Sequence, residues 1–268
     1  MELRGEVVVL TGASRGLGVA IAQRLAARGA HLVLAARAAD GLERVAAQVR
    51  EAGGEATVVA CDVTQAADRE RLVAAASEVG PIAVLVNNAG VEMPGPFVDA
   101  SAADVDQQVA VNLLAPVHLT HAVLPGMVAR RKGVVVQVSS MSGKAPTPYN
   151  AVYAATKYGL NGFTGSIRIE LEGTGVHAGV VCPGFVADTG MWADSGGKAP
   201  AMMREVSPER VADGVAQVID GAVEVLVTPG PMRPALALAQ LAPRLDGFVL
   251  KRFGVLDVLK QRGPRGAE

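Results

Sequence analysis

Three polar side chains stand close enough in the sequence to share one piece of chemistry. Tyr153 and Lys157 are four residues apart, which on a helix puts a phenol and an ammonium on one face. Ser140 precedes Tyr153 by thirteen residues, just past the apolar run Val134–Ser139. A phenol titrates near ~10, and a fixed cation lowers that value toward the range where protons exchange at neutral pH. A serine hydroxyl beside it can hold a substrate oxygen without acting as a nucleophile. By themselves, Tyr153 and Lys157 also read as an ordinary pair of helical neighbours. A second cluster, Thr11-Gly12-Ala13-Ser14-Arg15-Gly16-Leu17-Gly18, places three glycines between an apolar run and an amphipathic stretch. Glycines there let the backbone turn tightly and bring its N–H groups against a pyrophosphate, with the helix N-terminus adding partial positive charge.

The elements that must position these groups alternate along the chain. Short apolar runs fall at Glu6–Leu10, His31–Ala36, Ala56–Cys61, Ile82–Asn87, Val134–Ser139, Val176–Cys182 and Glu224–Val227. They have the length and the mostly β-branched composition of strands buried on both faces. Between them, Gly18–Arg28, Gly41–Ala52, Ala66–Val79, Ala102–Arg130 and Tyr153–Glu172 carry apolar residues at helical spacing. Such alternation predicts an α/β chain with one doubly wound parallel sheet and helices on both faces. The glycine turn then lies on the first strand-to-helix connection and Ser140 at a strand's carboxyl end, the edge where open sheets bind ligands. The second strand ends at Ala35-Ala36-Arg37, nineteen residues after Gly18, with no acid to accept from a ribose 2′-hydroxyl. Arg37, and Arg15 from the glycine turn, can instead meet a 2′-phosphate, so NADP(H) is expected ahead of NAD(H).

Taken together, Thr-Gly-x-x-x-Gly-x-Gly at 11–18, Asn87-Asn88-Ala89-Gly90, Asn112, Ser140 and Tyr153-x-x-x-Lys157 resemble the short-chain dehydrogenase/reductase family over about residues 5–230. The resemblance implies a Rossmann-like sheet of about seven strands in the order 3-2-1-4-5-6-7. It implies Tyr153 as acid/base, Lys157 as its tuner and a ribose ligand, Ser140 as the group orienting the substrate oxygen, and Asn112 as the holder of a proton-relaying water. Gly12, Ser14, Arg15, Gly16, Leu17, Gly18, Arg37, Asp62, Val63, Asn88, Ala89, Gly90, Pro183, Gly184 and Val186 map onto the cofactor side. The family's threonine after Pro-Gly comes one position late here, at Thr189, and either a bulged loop carries it back or Asp188 changes the contact. Activity follows as interconversion of a ketone or aldehyde with an alcohol. A non-catalytic NADP(H) sensor, or a dehydratase or epimerase on the same fold, are the alternatives.

Two segments break the alternation. Gly184–Ser207 is long and glycine- and proline-rich, with Met191, Trp192, Met202 and Met203, and reads as a substrate lid. Together with Met93, Met141 and Phe185 these side chains favour a bulky apolar carbonyl compound; Met141, Phe185, Met191 and Trp192 are the expected substrate contacts. Pro231–Glu268 carries seven basic and three acidic residues and forms a C-terminal extension to a domain of residues 1–230. Its leucines and phenylalanines (238, 241, 245, 248, 253, 256, 259) recur at largely helical spacing, with Pro243 and Gly247 expected to divide it into two short helices. That stripe packs on the protein, or it lies as a basic amphipathic anchor on an anionic membrane.

Composition bounds the remaining classes. The 268 residues are 50 % apolar and 19 % charged, which excludes a disordered chain. With 25 basic and 26 acidic residues, no global field recruits nucleic acid. Cys61 and Cys182 lie 121 residues apart in apolar runs and read as core residues of a reducing compartment, not a disulfide or metal set. The first apolar run is too short for a signal peptide, and no run of ~18 apolar residues escapes a charge or proline, so the chain is expected to be cytoplasmic. By resemblance, helices over 102–130 and 153–172 are those that pair subunits into a homodimer or homotetramer.

Overall fold

A computed structural model describes residues 1–194, 199, 204–252 and 254–262. Seven strands form one sheet in the order β3-β2-β1-β4-β5-β6-β7, every pair parallel. They are β1 (Val7–Thr11), β2 (His31–Ala36), β3 (Glu55–Ala60), β4 (Ile82–Asn87), β5 (Gly133–Val138), β6 (Val176–Pro183) and β7 (Glu224–Val227). Each matches the run expected from sequence to within a residue at either end, because continuous β-branched runs leave little freedom about what is buried. Alternation within a strand divides the core. Val8 and Leu10 face helices α1 (Leu17–Ala26), α2 (Ala39–Glu51) and α8 (Pro208–Ile219). Val7 and Val9 face α3 (Ala66–Val79), α5 (Ala115–Ala129) and α6 (Ala151–Glu170).

The crossover reverses between β1 and β4, so the carboxyl ends of these neighbours open a crevice. α4 (Ala102–Val109), a π-turn at Ala110–Leu114 and α5 join into one helix over Ala102–Ala129. Contrary to the sequence expectation, this helix is long and apolar enough to cross a membrane by length and composition. Pro116 sits in the first turn of α5 and Pro125 is accommodated within it, so neither ends the helix. Leu119, Val123 and Met127 pack it onto the sheet. Cys61 and Cys182 are buried free thiols.

The lid begins with α7 (Gly190–Asp194); Met202 and Met203 lie outside the described residues. Its two ends are tied by a bridge between Val186 and Val206, with Ala187 N–H donating to the Val206 carbonyl at 2.9 Å. The tail departs from the two helices expected. It contains α9 (Arg233–Leu241), a 3₁₀ turn at Pro243–Leu245, α10 (Asp246–Arg252) and α11 (Val255–Lys260). Pro243 marks a break as anticipated, whereas Gly247 lies inside α10. The other break is at Gly254, whose φ of 68° is left-handed.

Candidate active site

β1 delivers the chain into a turn that only glycine can make. Gly12 has φ 68°, and a Cβ there would stand 2.8 Å from Ala89 Cα. A Cβ on Gly18 would stand 2.1 Å from the Gly12 carbonyl oxygen, so this residue lies behind the turn and not on the cleft wall. Thr11 Oγ1 accepts from the N–H groups of Asn88 and Ala89, both at 3.1 Å. Asn88 Nδ2 donates to the Thr11 carbonyl at 3.0 Å, so the residues after β4 and the glycine turn hold each other. Asn87 instead points into the core, where its amide donates to Thr120 Oγ1 at 3.3 Å. α1 starts at this turn with no acid in its first turn, leaving its positive end uncompensated.

A cleft of about 960 Å³ runs from there across the sheet edge. Ser14, Arg15, Gly16, Leu17, Arg37, Asp62 and Val63 line one end, and Gly90, Pro183, Gly184, Val186 and Thr189 lie further along. Ala36 and an exposed Arg37 close β2, and Arg37 makes no ion pair with any described residue. Arg15 differs from expectation: its guanidinium pairs with Asp194 of α7 at 2.7 Å, tying the glycine turn to the lid. The late threonine lies on the cleft wall near the glycine turn. Asp188 takes the left-handed φ of 59°, and Thr189 Oγ1 comes within 3.7 Å of where a Gly16 side chain would begin. A tight glycine cradle, a bare helix N-terminus and a free arginine in place of an acid fit a dinucleotide carrying a 2′-phosphate.

At the cleft's floor, α6 presents Tyr153, 7 % exposed, and Lys157, 3 % exposed. Ser140, at the mouth of β5, stands beside the phenol of Tyr153 and favours its ionisation, and its Oγ accepts from Ser142 N–H at 3.1 Å. Lys157 Nζ donates to the Val138 carbonyl at 2.9 Å and lies 5.5 Å from the centre of the Tyr153 ring. The lowered phenol pKa expected from sequence is not what this setting produces. Burial drives the Tyr153 pKa upward and outweighs the lowering by Ser140, so the group stands as a protonated acid. Burial acts on the lysine in the opposite sense and pushes it down to about 8.

Asn112 lies just behind this group. It is fully buried in the π-turn, off the cleft wall, with Oδ1 accepting from Val91 N–H and Nδ2 donating to the Val91 carbonyl, both at 2.8 Å. One bond at each end of its amide lets the side chain fix the loop after β4. Met141, Phe185, Met191 and Trp192 line the wide end of the cleft, the Phe185 and Trp192 rings 4.3 Å apart; Met93 does not reach it.

Sequence reasoning missed the rest of this end. Met232, Leu236, Leu250, Val255, Leu259 and Arg262 line the cleft from the tail, and Glu92 lines it from the loop after β4. The spacing of Val255, Leu259 and Arg262 marks one helical face, but nothing local says what that face covers.

The sequence signature described as short chain dehydrogenase matches residues 6–199. A ketoacyl reductase of Nostoc sp., HetN, is 40 % identical over 267 residues, covering 97 % of this chain and 93 % of that protein. A metagenomic short-chain oxidoreductase solved in complex with NADP superposes with a TM-score of 0.74 at 36 % identity, covering 86 % of this chain and 100 % of that one. An actinorhodin polyketide ketoreductase variant solved with NADPH gives 0.77 at 33 % identity, covering 83 % of this chain and 95 % of that one.

Proposed function

The chain belongs to the short-chain dehydrogenase family, and from its cleft we propose an NADP(H)-dependent oxidoreductase that interconverts a bulky, apolar ketone or aldehyde with its alcohol. One observation carries the reading: a buried, protonated phenol, beside Ser140, faces a cleft continuous with the glycine cradle. The related structures solved with NADP and NADPH support the cofactor. Gly12, Gly16, Asp62, Arg37, Asn88 and Thr189 would hold it; when bound, it supplies the hydride. The chain's own work is with the proton and the oxygen. Ser140 and Tyr153 converge on the substrate carbonyl oxygen, which accepts from both hydroxyls. Tyr153 then gives its proton to the developing alkoxide, and Lys157 beside it is the reservoir from which the phenol is recharged. Run backwards, the same phenol takes the alcohol's proton.

Residues 1–230, with the lid at 184–207, make the catalytic domain in this reading, and 231–268 an extension whose described residues line the cleft. Buried free thiols suit a reducing cytoplasm. Leu114, Tyr158 and Ile169, exposed on the helices over 102–129 and 151–170, are proposed to meet a second copy. The outer face of the tail favours a further contact. Leu241 and Phe248 are 84 % and 68 % exposed beside Arg244, Lys251 and Arg252, an arrangement suited to an anionic membrane.

The test of activity is NADPH consumption against a panel of ketones and aldehydes, with the alcohol quantified. A cofactor sensor binds NADPH and turns over none. A dehydratase or epimerase converts its substrate with no net loss of NADPH.

A further inference from the structure

The tail contains the most informative cluster outside the residues already assigned. Arg262, just past α11, forms an ion pair with Glu92, and the two side chains are 6 % and 9 % exposed. The guanidinium also lies 4.7 Å over the ring of Trp192 in the lid. Glu92 Oε2 accepts from Asn150 Nδ2 at 2.8 Å, and Asn150 caps the start of the helix that carries Tyr153. One side chain from the end of the tail thus touches the loop after β4 and the lid, and through Glu92 reaches the approach to the acid. On the same face, Val255 and Leu259 are buried and line the cleft.

We propose that the tail is a wall of the substrate chamber, latched by Arg262 onto Glu92 and Trp192, and that the chamber receives a carbonyl compound bearing an apolar chain. The inference rests on the reading of the cleft as a carbonyl-reducing site and adds the substrate class and a specificity-determining residue. A buried arginine is tolerated only with its counter-charge, so the tail has one low-energy seat. Pairing with Glu92 cancels the charge, and the tail's other contributions to the chamber are apolar: Met232, Leu236 and Leu250, with Met141 and Phe185 lining the same cleft. A chain lying among those side chains leaves water methylene by methylene.

The probe is a homologous series of unbranched 2-alkanones, read as the slope of kcat/KM against chain length. In the parent each added methylene is expected to raise kcat/KM by about fourfold until the chamber is full. Arg262→Met flattens that slope, and the emission of Trp192, the chain's single tryptophan, moves to the red as its ring becomes wet. Arg262→Lys keeps the ion pair and most of the slope. Should Arg262→Met fail to fold, Glu92→Gln with Arg262→Met strands no charge, lacks the latch and also gives a flat series. A flat series in the parent, a parental slope in the variants without the latch, or a lysine variant as flat as the methionine one overturns the proposal. Tyr153→Phe separates the two readings. If it reduces ketones as the parent does, the acid assignment fails, while Trp192 emission, which needs no turnover, still reports on the latch.

Discussion

Arg37 stands free on the cleft wall beside Ala36, at the position where an acid would select a ribose hydroxyl. Losing a charged hydrogen bond costs ~1.5–3 kcal/mol, so NADPH is expected to bind roughly 10- to 150-fold more tightly than NADH. Arg37→Asp should erase most of that ratio in a direct binding titration; equal affinities in the parent contradict it. That preference was legible from residue types alone. The protonation of the site was not, because burial decides it and burial belongs to the fold. Lys157 is held down to about 8 from 10.5 by burial, so between those values the unfolded chain binds the extra proton. Stability therefore rises with pH across that window, and the cost of burying the charge is felt in full below it. Relative to Lys157→Met, the parent should gain on the order of 3 kcal/mol from pH 8 to 10.5 in urea titrations. A pH-independent difference between the two proteins counts against a buried cation. The bond Asn112 makes was hidden for a similar reason: its partner, Val91, is 21 residues away and comes beside it only in the folded chain.

The glycine turn and the strands could be read from sequence because both are enforced locally, the turn by the absence of side chains and the strands by unbroken apolar runs. Gly18→Ala should drive a methyl into the Gly12 carbonyl oxygen, an overpacking cost of ~1–3 kcal/mol or more, and should weaken cofactor binding by displacing the turn. Thermal melts with and without NADPH measure both effects; an unchanged melting temperature contradicts the close approach. The tail was harder to read. Proline at 243 does break it, but Gly247 is carried inside α10, because one glycine costs a helix only ~1 kcal/mol. Its inner stripe showed a helix with something to cover. That it covers the substrate chamber depends on Glu92, 170 residues from Arg262, and no sequence window spans such a pair.

For the whole molecule, the tail serves both sequence readings: one face packs on the cleft, and the other displays Leu241, Leu245 and Phe248 among basic residues. The protein should sediment with anionic vesicles at low salt and release as salt rises, with Leu241→Ser/Phe248→Ser abolishing binding while Trp192 emission stays put. No sedimentation at low salt removes the membrane contact. Fold class and the Tyr153–Lys157 pairing were legible because neighbouring residues determine them, and strand order was legible only through the family resemblance. The chamber's tail wall, the lid tie through Arg15 and the occupant of the outer faces depend on contacts between distant segments. The reading as a whole turns on Tyr153, and the most direct test compares ketone-dependent NADPH oxidation by the parent and by Tyr153→Phe, with NADPH affinity measured alongside. Turnover is expected to fall by ~10²–10⁴ with affinity nearly retained, the usual loss for a positioned acid. A Tyr153→Phe enzyme that keeps most of its turnover, or a parent that oxidises NADPH with no carbonyl compound, would contradict the account.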